Sequence, residues 1–135
     1  MNIKNIVSKL KALNLPKGSY IVYGSCPMTA LGIREAKDVD LYVSQEIYKD
    51  LKRRGWREID KGPRDKPVVS DNIEAHNTWE FSPYHPTLEE LLTRAFEVDG
   101  ISFASIEDVR EWKASSGRPK DLADIELIDK YISKK

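Results

Sequence analysis

Apolar positions in residues 2–13 fall at Ile3, Ile6, Val7, Leu10 and Leu13, the spacing of one helical stripe. Pro16, Lys17 and Gly18 break that pattern. Tyr20-Ile21-Val22-Tyr23 then reads as a strand ending at Gly24-Ser25. Pro27 suits the first turn of a short helix through Met28, Ala30 and Leu31, capped near Ser25 or Cys26 and stopped at Gly32. Polar and apolar side chains alternate from Asp38 to Val43, as in a half-buried strand. Ser44 caps a predicted helix over Gln45–Arg54 that ends at Gly55.

The second half is more broken. Trp56–Ile59 reads as a strand, and Gly62, Pro63 and Pro67 mark a polar loop. Val68-Val69 and Asn72–His76 form one or two strands, and Trp79–Phe81 reads as a further short one. Thr87 opens a helix over Leu88–Ala95, with Glu90 placed for a capping box. Val98–Ala104 is one extended segment turning at Asp99-Gly100. Ser105 caps a helix ended by Gly117, and Pro119 starts the last helix, to about Ile132. The expected fold class is α+β, an α/β-type sandwich: a mixed sheet of about four or five strands packed by helices. A length of 135 residues suits a single domain over residues 1–135.

Composition narrows the function classes. The 22 Lys and Arg balance 22 Asp and Glu, which argues against a nucleic-acid coat protein. Residues 49–66 nevertheless hold eight bases against four acids, and residues 71–99 seven acids against one base, Arg94. The basic stretch is a solvated surface or a face for an anionic partner. The lone Cys26 excludes a disulfide framework and a cysteine-based zinc site. No apolar run approaches the ~18 residues of a membrane span, and the charged N-terminus is unlike a signal peptide, so a cytoplasmic location and no membrane partner are expected.

Two features carry chemistry. Gly24-Ser25, between a strand and a helix, lets backbone and a hydroxyl approach an anion, although such a pair is ordinarily just a turn. In Asp38-Val39-Asp40 the two acids share one face of a strand, about 7 Å apart at Cα for a rise of ~3.3 Å per residue. Acids so placed repel, and a divalent cation offsets that; solvated acids at a sheet edge are the alternative. Twelve residues separate Ser25 from Asp38, room for one short helix and a return loop. Turn and acids can thus meet at neighbouring strand ends, as phosphoryl or nucleotidyl transfer requires.

These residues resemble the signature of the DNA polymerase β-like nucleotidyltransferases, whose small members include the minimal nucleotidyltransferases and the antibiotic nucleotidyltransferases. The tail from Trp112-Lys113 through Gly117-Arg118-Pro119-Lys120-Asp121 to Asp124-Ile125 is similar to the closing segment of many small members, and together the likeness spans residues 20–128. The resemblance implies a nucleotidyltransferase fold and Mg²⁺- or Mn²⁺-dependent transfer of NMP from an NTP to a hydroxyl, with pyrophosphate released. It assigns Asp38 and Asp40 to the metal and Gly24 and Ser25 to the phosphates. A third catalytic and metal-binding acid matches Glu74 in Ile73-Glu74-Ala75, or Glu80 in Trp79-Glu80-Phe81, with Glu74 preferred and Asp71 weaker. Arg34, Lys113 and Arg118 are candidate triphosphate cations; alternatively Arg34 is solvated, and Arg118 or Lys120 pairs with Asp121 or Asp124 to dock the last helix.

His76, two residues after Glu74, either assists the site or is packed or solvated. Cys26 is a small packing residue or a thiol activated at a helix start. Trp56, Trp79 and Trp112 are core or rim, one of them available to stack on a base. The acceptor is a small molecule, a protein side chain or an RNA end. A homodimer or partner protein is a further expectation, because one small domain leaves little room for an acceptor domain. The rival expectation is a catalytically inactive nucleotide-binding or protein-interaction module, such as a toxin–antitoxin component.

Overall fold

The computed structural model describes residues 1–78 and 84–134. Their helices are α1 (Ile3–Leu13), α2 (Cys26–Ala30), α3 (Gln45–Arg53), α4 (Leu88–Arg94), α5 (Ile106–Ser116) and α6 (Pro119–Ser133). Their strands are β1 (Tyr20–Tyr23), β2 (Val39–Val43), β3 (Arg57–Glu58), β4 (Val68–Ser70), β5 (Ile73–His76), β6 (Phe96–Val98) and β7 (Ile101–Phe103). All seven strands join one mixed sheet in the order β3-β4-β5-β2-β1-β7-β6. The α+β expectation stands, and the count of four or five strands is corrected to seven. The segment expected as one extended piece is the β6–β7 hairpin, turned at Asp99 and Gly100, both with positive φ. A strand at 79–81 lies outside the described residues.

Capping chemistry sets the helix boundaries. Asn2 and Asn5 close a capping box at the start of α1. The Ser44 hydroxyl accepts from the Ile47 amide, and Thr87 and Glu90 form a second box. Gly117 ends α5 in the left-handed conformation.

Period-two alternation sorts the sheet into two faces. Val22, Val39, Leu41, Val43, Val68, Ile73 and Ala75 pack with Ile6, Val7 and Leu10 of α1 and Ile47 and Leu51 of α3. On the other face Ile21 and Tyr23 meet Met28, Leu91, Ile106, Val109 and Ile128. β2 therefore spends its odd positions on the first core and turns Asp40 and Tyr42 to the second face. β5 does likewise, with Ile73 and Ala75 inward to the first core and Glu74 and His76 opposite.

Register makes those polar residues neighbours. β2 runs parallel to β5, pairing Asp40 with Glu74 and Tyr42 with His76. It runs antiparallel to β1, pairing Asp40 with Tyr23. Phe103, fully buried on β7 and stacked on Phe96 at 5.6 Å, holds the β6–β7 hairpin to the core. Phe103→Ala is expected to lower the unfolding free energy by about 3–5 kcal/mol, checked by urea denaturation.

Candidate functional site

Gly24 follows β1 with φ of +75°, a conformation that L side chains rarely adopt. Space there is equally restrictive, because a Cβ on Gly24 would lie 2.5 Å from Asp40 Oδ2. The turn after β1 thus abuts the β2 carboxylate. Asp40 Oδ, a Glu74 carboxylate oxygen and an imidazole nitrogen of His76 lie within 4.8 Å of one another. Lys61 Nζ reaches Glu74 Oε1 at 2.5 Å, and His76 Nε2 stands 3.5 Å from Glu74 Oε2. His76 Nδ1 lies 3.0 Å from Asp65 Oδ1.

Two neighbouring carboxyls respond in opposite directions. Burial and then the charge of Glu74 push the Asp40 carboxyl up to about 7. His76 and Lys61 hold the Glu74 carboxyl well below its ordinary value, against the effect of burial. Without a cation, therefore, Asp40 keeps a proton that a free aspartate would have lost. Two carboxylates and an imidazole, drawn together at a cost in mutual repulsion, are a donor set that fits a divalent cation.

Beside this cluster lies a second network. Arg34 donates to both Asp124 carboxylate oxygens (2.8 and 2.9 Å) and to Ser25 Oγ at 2.7 Å. Lys113 is buried, with Nζ 2.9 Å from Asp124 Oδ2, 3.8 Å from Asp121 Oδ1 and 3.5 Å from Ser25 Oγ. Burial alone would raise the Asp124 carboxyl, yet Arg34 and Lys113 bring it below its ordinary value. Arg118 closes a capping box with Asp121, Nε to Oδ2 at 2.7 Å, and its guanidinium lies 5.9 Å from the centre of the Trp112 ring. Trp112 packs edge-on to Tyr23 at 5.9 Å.

A cleft of about 1410 Å³ joins the two networks, and Gly24, Ser25, Arg34, Asp38, Asp40, Glu74, Lys113 and Arg118 all line it. They occupy it differently. Asp38 is exposed, just before the first β2 residue, and stands outside the compact Asp40–Glu74–His76 group. Its backbone carbonyl accepts from Cys26 Sγ at 3.3 Å, tying the start of β2 to α2. Arg34 is an ion-pair partner of Asp124 rather than a solvated loop residue. Arg118 pairs with Asp121 within the first turn of α6, where it caps that helix; the pair that ties α6 to α5 is Lys113 with Asp124, and Lys120 also lines the cleft. Glu80 and Trp79 lie outside the described residues.

Cys26 is fully buried, and burial and then Asp40 push its thiol up to about 12, so it is a packing residue and not an activated nucleophile. Sequence reasoning did not single out Lys61 and Asp65. Both sit in the polar loop before β4, and only folding brings them to Glu74 and His76.

The architecture is an antibiotic-nucleotidyltransferase-like fold. One similar solved structure is a crystal structure of ANT(2")-Ia in complex with adenylyl-2"-tobramycin, at a TM-score of 0.57 and 15% identity, covering 96% of this chain and 87% of that one. A second is a solution structure of the antibiotic-resistance factor ANT(2'')-Ia, at 0.56 and 16%, covering 96% and 82%. No family model matches the chain, and no curated protein matches it significantly. Among the described residues no helix is long and apolar enough to cross a membrane.

Gly24→Ala should both strain the turn, by about 1–2 kcal/mol, and displace Asp40. Gly32→Ala, where a Cβ meets nothing within 4 Å, carries the backbone cost alone. Thermal melts of the two variants are expected to differ, with Gly24→Ala the less stable. A raised carboxyl is stabilising while protonated, and that contribution is lost as pH rises through the interval between the ordinary aspartate value and about 7. Asp40→Asn should therefore gain stability over the natural chain as pH climbs from 4 to 8 without metal, read from melting temperatures across that series.

Proposed function

We propose that this chain is a nucleotidyltransferase that moves NMP from an NTP to a hydroxyl acceptor and releases pyrophosphate. The observation that carries this reading is the abutment of the Gly24 turn on Asp40, with Glu74 as the register partner of Asp40. Support comes from the shared cleft, which both the turn at Gly24-Ser25 and the Asp40–Glu74–His76 cluster line. The likeness of fold to ANT(2")-Ia supports the same activity class, and the adenylylated tobramycin in that structure favours a small polyhydroxyl acceptor.

In this reading Asp40 and Glu74 would hold Mg²⁺ or Mn²⁺, and Asp38, which lines the same cleft outside that pair, would add a further carboxylate; the cation would supply positive charge to offset the triphosphate. Ser25 and the Gly24 backbone seat the phosphates. Arg34 and Lys113, aimed at Ser25 by their common anchor Asp124, supply fixed positive charge where negative charge accumulates. Arg118, a further candidate for the triphosphate, and Trp112 line the same cleft. The acceptor oxygen bonds to the α-phosphorus, the bond from that phosphorus to the bridging oxygen breaks, and pyrophosphate carries the electron pair away. Glu74, held ionised, would accept a hydrogen bond from the acceptor hydroxyl and align it, and the hydroxyl proton would pass to water in the open cleft.

Two contacts favour a second reading, an inactive nucleotide-binding or interaction module. Lys61 and His76 already offset Glu74 without any metal. Incubation with labelled ATP, CTP, GTP and UTP, Mg²⁺ or Mn²⁺, and separate small-molecule, protein and RNA acceptor pools decides between them. The expected outcome is label transfer that falls to background in Asp40→Ala and Glu74→Gln. Nucleotide binding with no transfer to any pool would instead establish the inactive module.

A further inference from the structure

We propose that His76 is a nitrogen ligand of the metal centre, so that the site takes a transition-row divalent cation such as Mn²⁺ in preference to Mg²⁺. This rests on the metal-binding reading of the cleft. The imidazole is placed for the task by backbone and side chain together. β5 alternation puts His76 on the face of Glu74, and parallel pairing with β2 brings that face beside Asp40. The ring is buried, 6% exposed, and its orientation is limited by an edge contact to Tyr23 at 6.0 Å.

The two ring nitrogens face different partners. Nδ1 is turned to Asp65 Oδ1 at 3.0 Å, and Nε2 to Glu74 Oε2 at 3.5 Å. Asp65 Oδ1 is itself a buried acceptor that no hydrogen bond satisfies among the described residues. A small rotation of the ring would align Nδ1 with that oxygen, and a carboxylate so engaged behind one imidazole nitrogen, with the other nitrogen directed at acidic ligands, fixes a metal-binding histidine and raises its basicity. Lys61 occupies Glu74 Oε1, the other oxygen of that carboxylate, and leaves the His76 side of Glu74 to the cluster.

Donor chemistry then sets the preference. Mg²⁺ demands oxygen ligands and keeps much of its water, whereas imidazole nitrogen strengthens binding along the row that begins with Mn²⁺. One nitrogen with two carboxylates within 4.8 Å of it therefore discriminates against Mg²⁺. Asp65 is a positioning residue, acting on the metal only through His76.

The test uses the untagged full chain, with no nucleotide, titrated with Mn²⁺ and separately with Mg²⁺, and pulsed electron paramagnetic resonance of bound Mn²⁺. The chain holds two histidines, so His85→Gln is the control. Nitrogen coupling to Mn²⁺ is expected in the natural chain and in His85→Gln, and its loss in His76→Gln. Mn²⁺ affinity should fall about 10–100-fold in Asp65→Asn, with a smaller loss for Mg²⁺. Bound Mn²⁺ without nitrogen coupling in the natural chain, an equal loss for both cations, or no Mn²⁺ binding would each overturn the proposal. The natural chain and His85→Gln decide the point even if His76→Gln does not fold. Mg²⁺-supported transfer without nitrogen coupling would sink this inference and leave the proposed activity standing. Nitrogen coupling without transfer under any cation would do the reverse.

Discussion

The site depends on one close approach, that of the Asp40 carboxylate to the turn at Gly24. Two chain segments meet there because β1 and β2 are antiparallel partners, and Tyr23 sits opposite Asp40. Any side chain at position 24 would clash with Oδ2, its Cβ only 2.5 Å away. Glycine thus answers two needs at once, a left-handed backbone and an empty flank. The turn at Gly24 and the acid pair are consequently one unit, built from adjacent strands and separated by no intervening side chain.

That unit sits on a sheet whose two faces are unequal. The face toward α1 and α3 is covered by apolar side chains from β1, β2, β4 and β5. The opposite face is apolar only around β1 and its helices α2, α4, α5 and α6, and it turns polar toward β5. Like charges are tolerated there because folding energy comes mainly from the other side of the same strands. Burial and then the charge of Glu74 raise the Asp40 carboxyl, the direction that a like-charged neighbour in a buried place dictates.

Much of this was readable from residues alone, and the reason is periodicity. The alternation in Asp38–Val43 assigned Asp40 to the face away from the core, and the apolar flanks of Glu74 assigned it likewise. Gly24-Ser25 announced its turn through composition. The β6–β7 hairpin was harder: its strands have three residues each, too short for alternation to separate them within one extended segment. Lys61 and Asp65 escaped notice because a polar loop has no period to betray which residues turn inward. Similarly, nothing local says that Asp124 on α6 will gather Arg34 and Lys113, since that depends on how the helix packs.

The last of those contacts has a mechanical side. Arg34 and Asp124 are separated by 90 residues, and Asp124 lies on α6. The basic wall of the cleft is therefore held by the seating of one helix: a change that tilts α6 would shift the guanidinium of Arg34 and the ammonium of Lys113 together, because both lean on the same carboxylate.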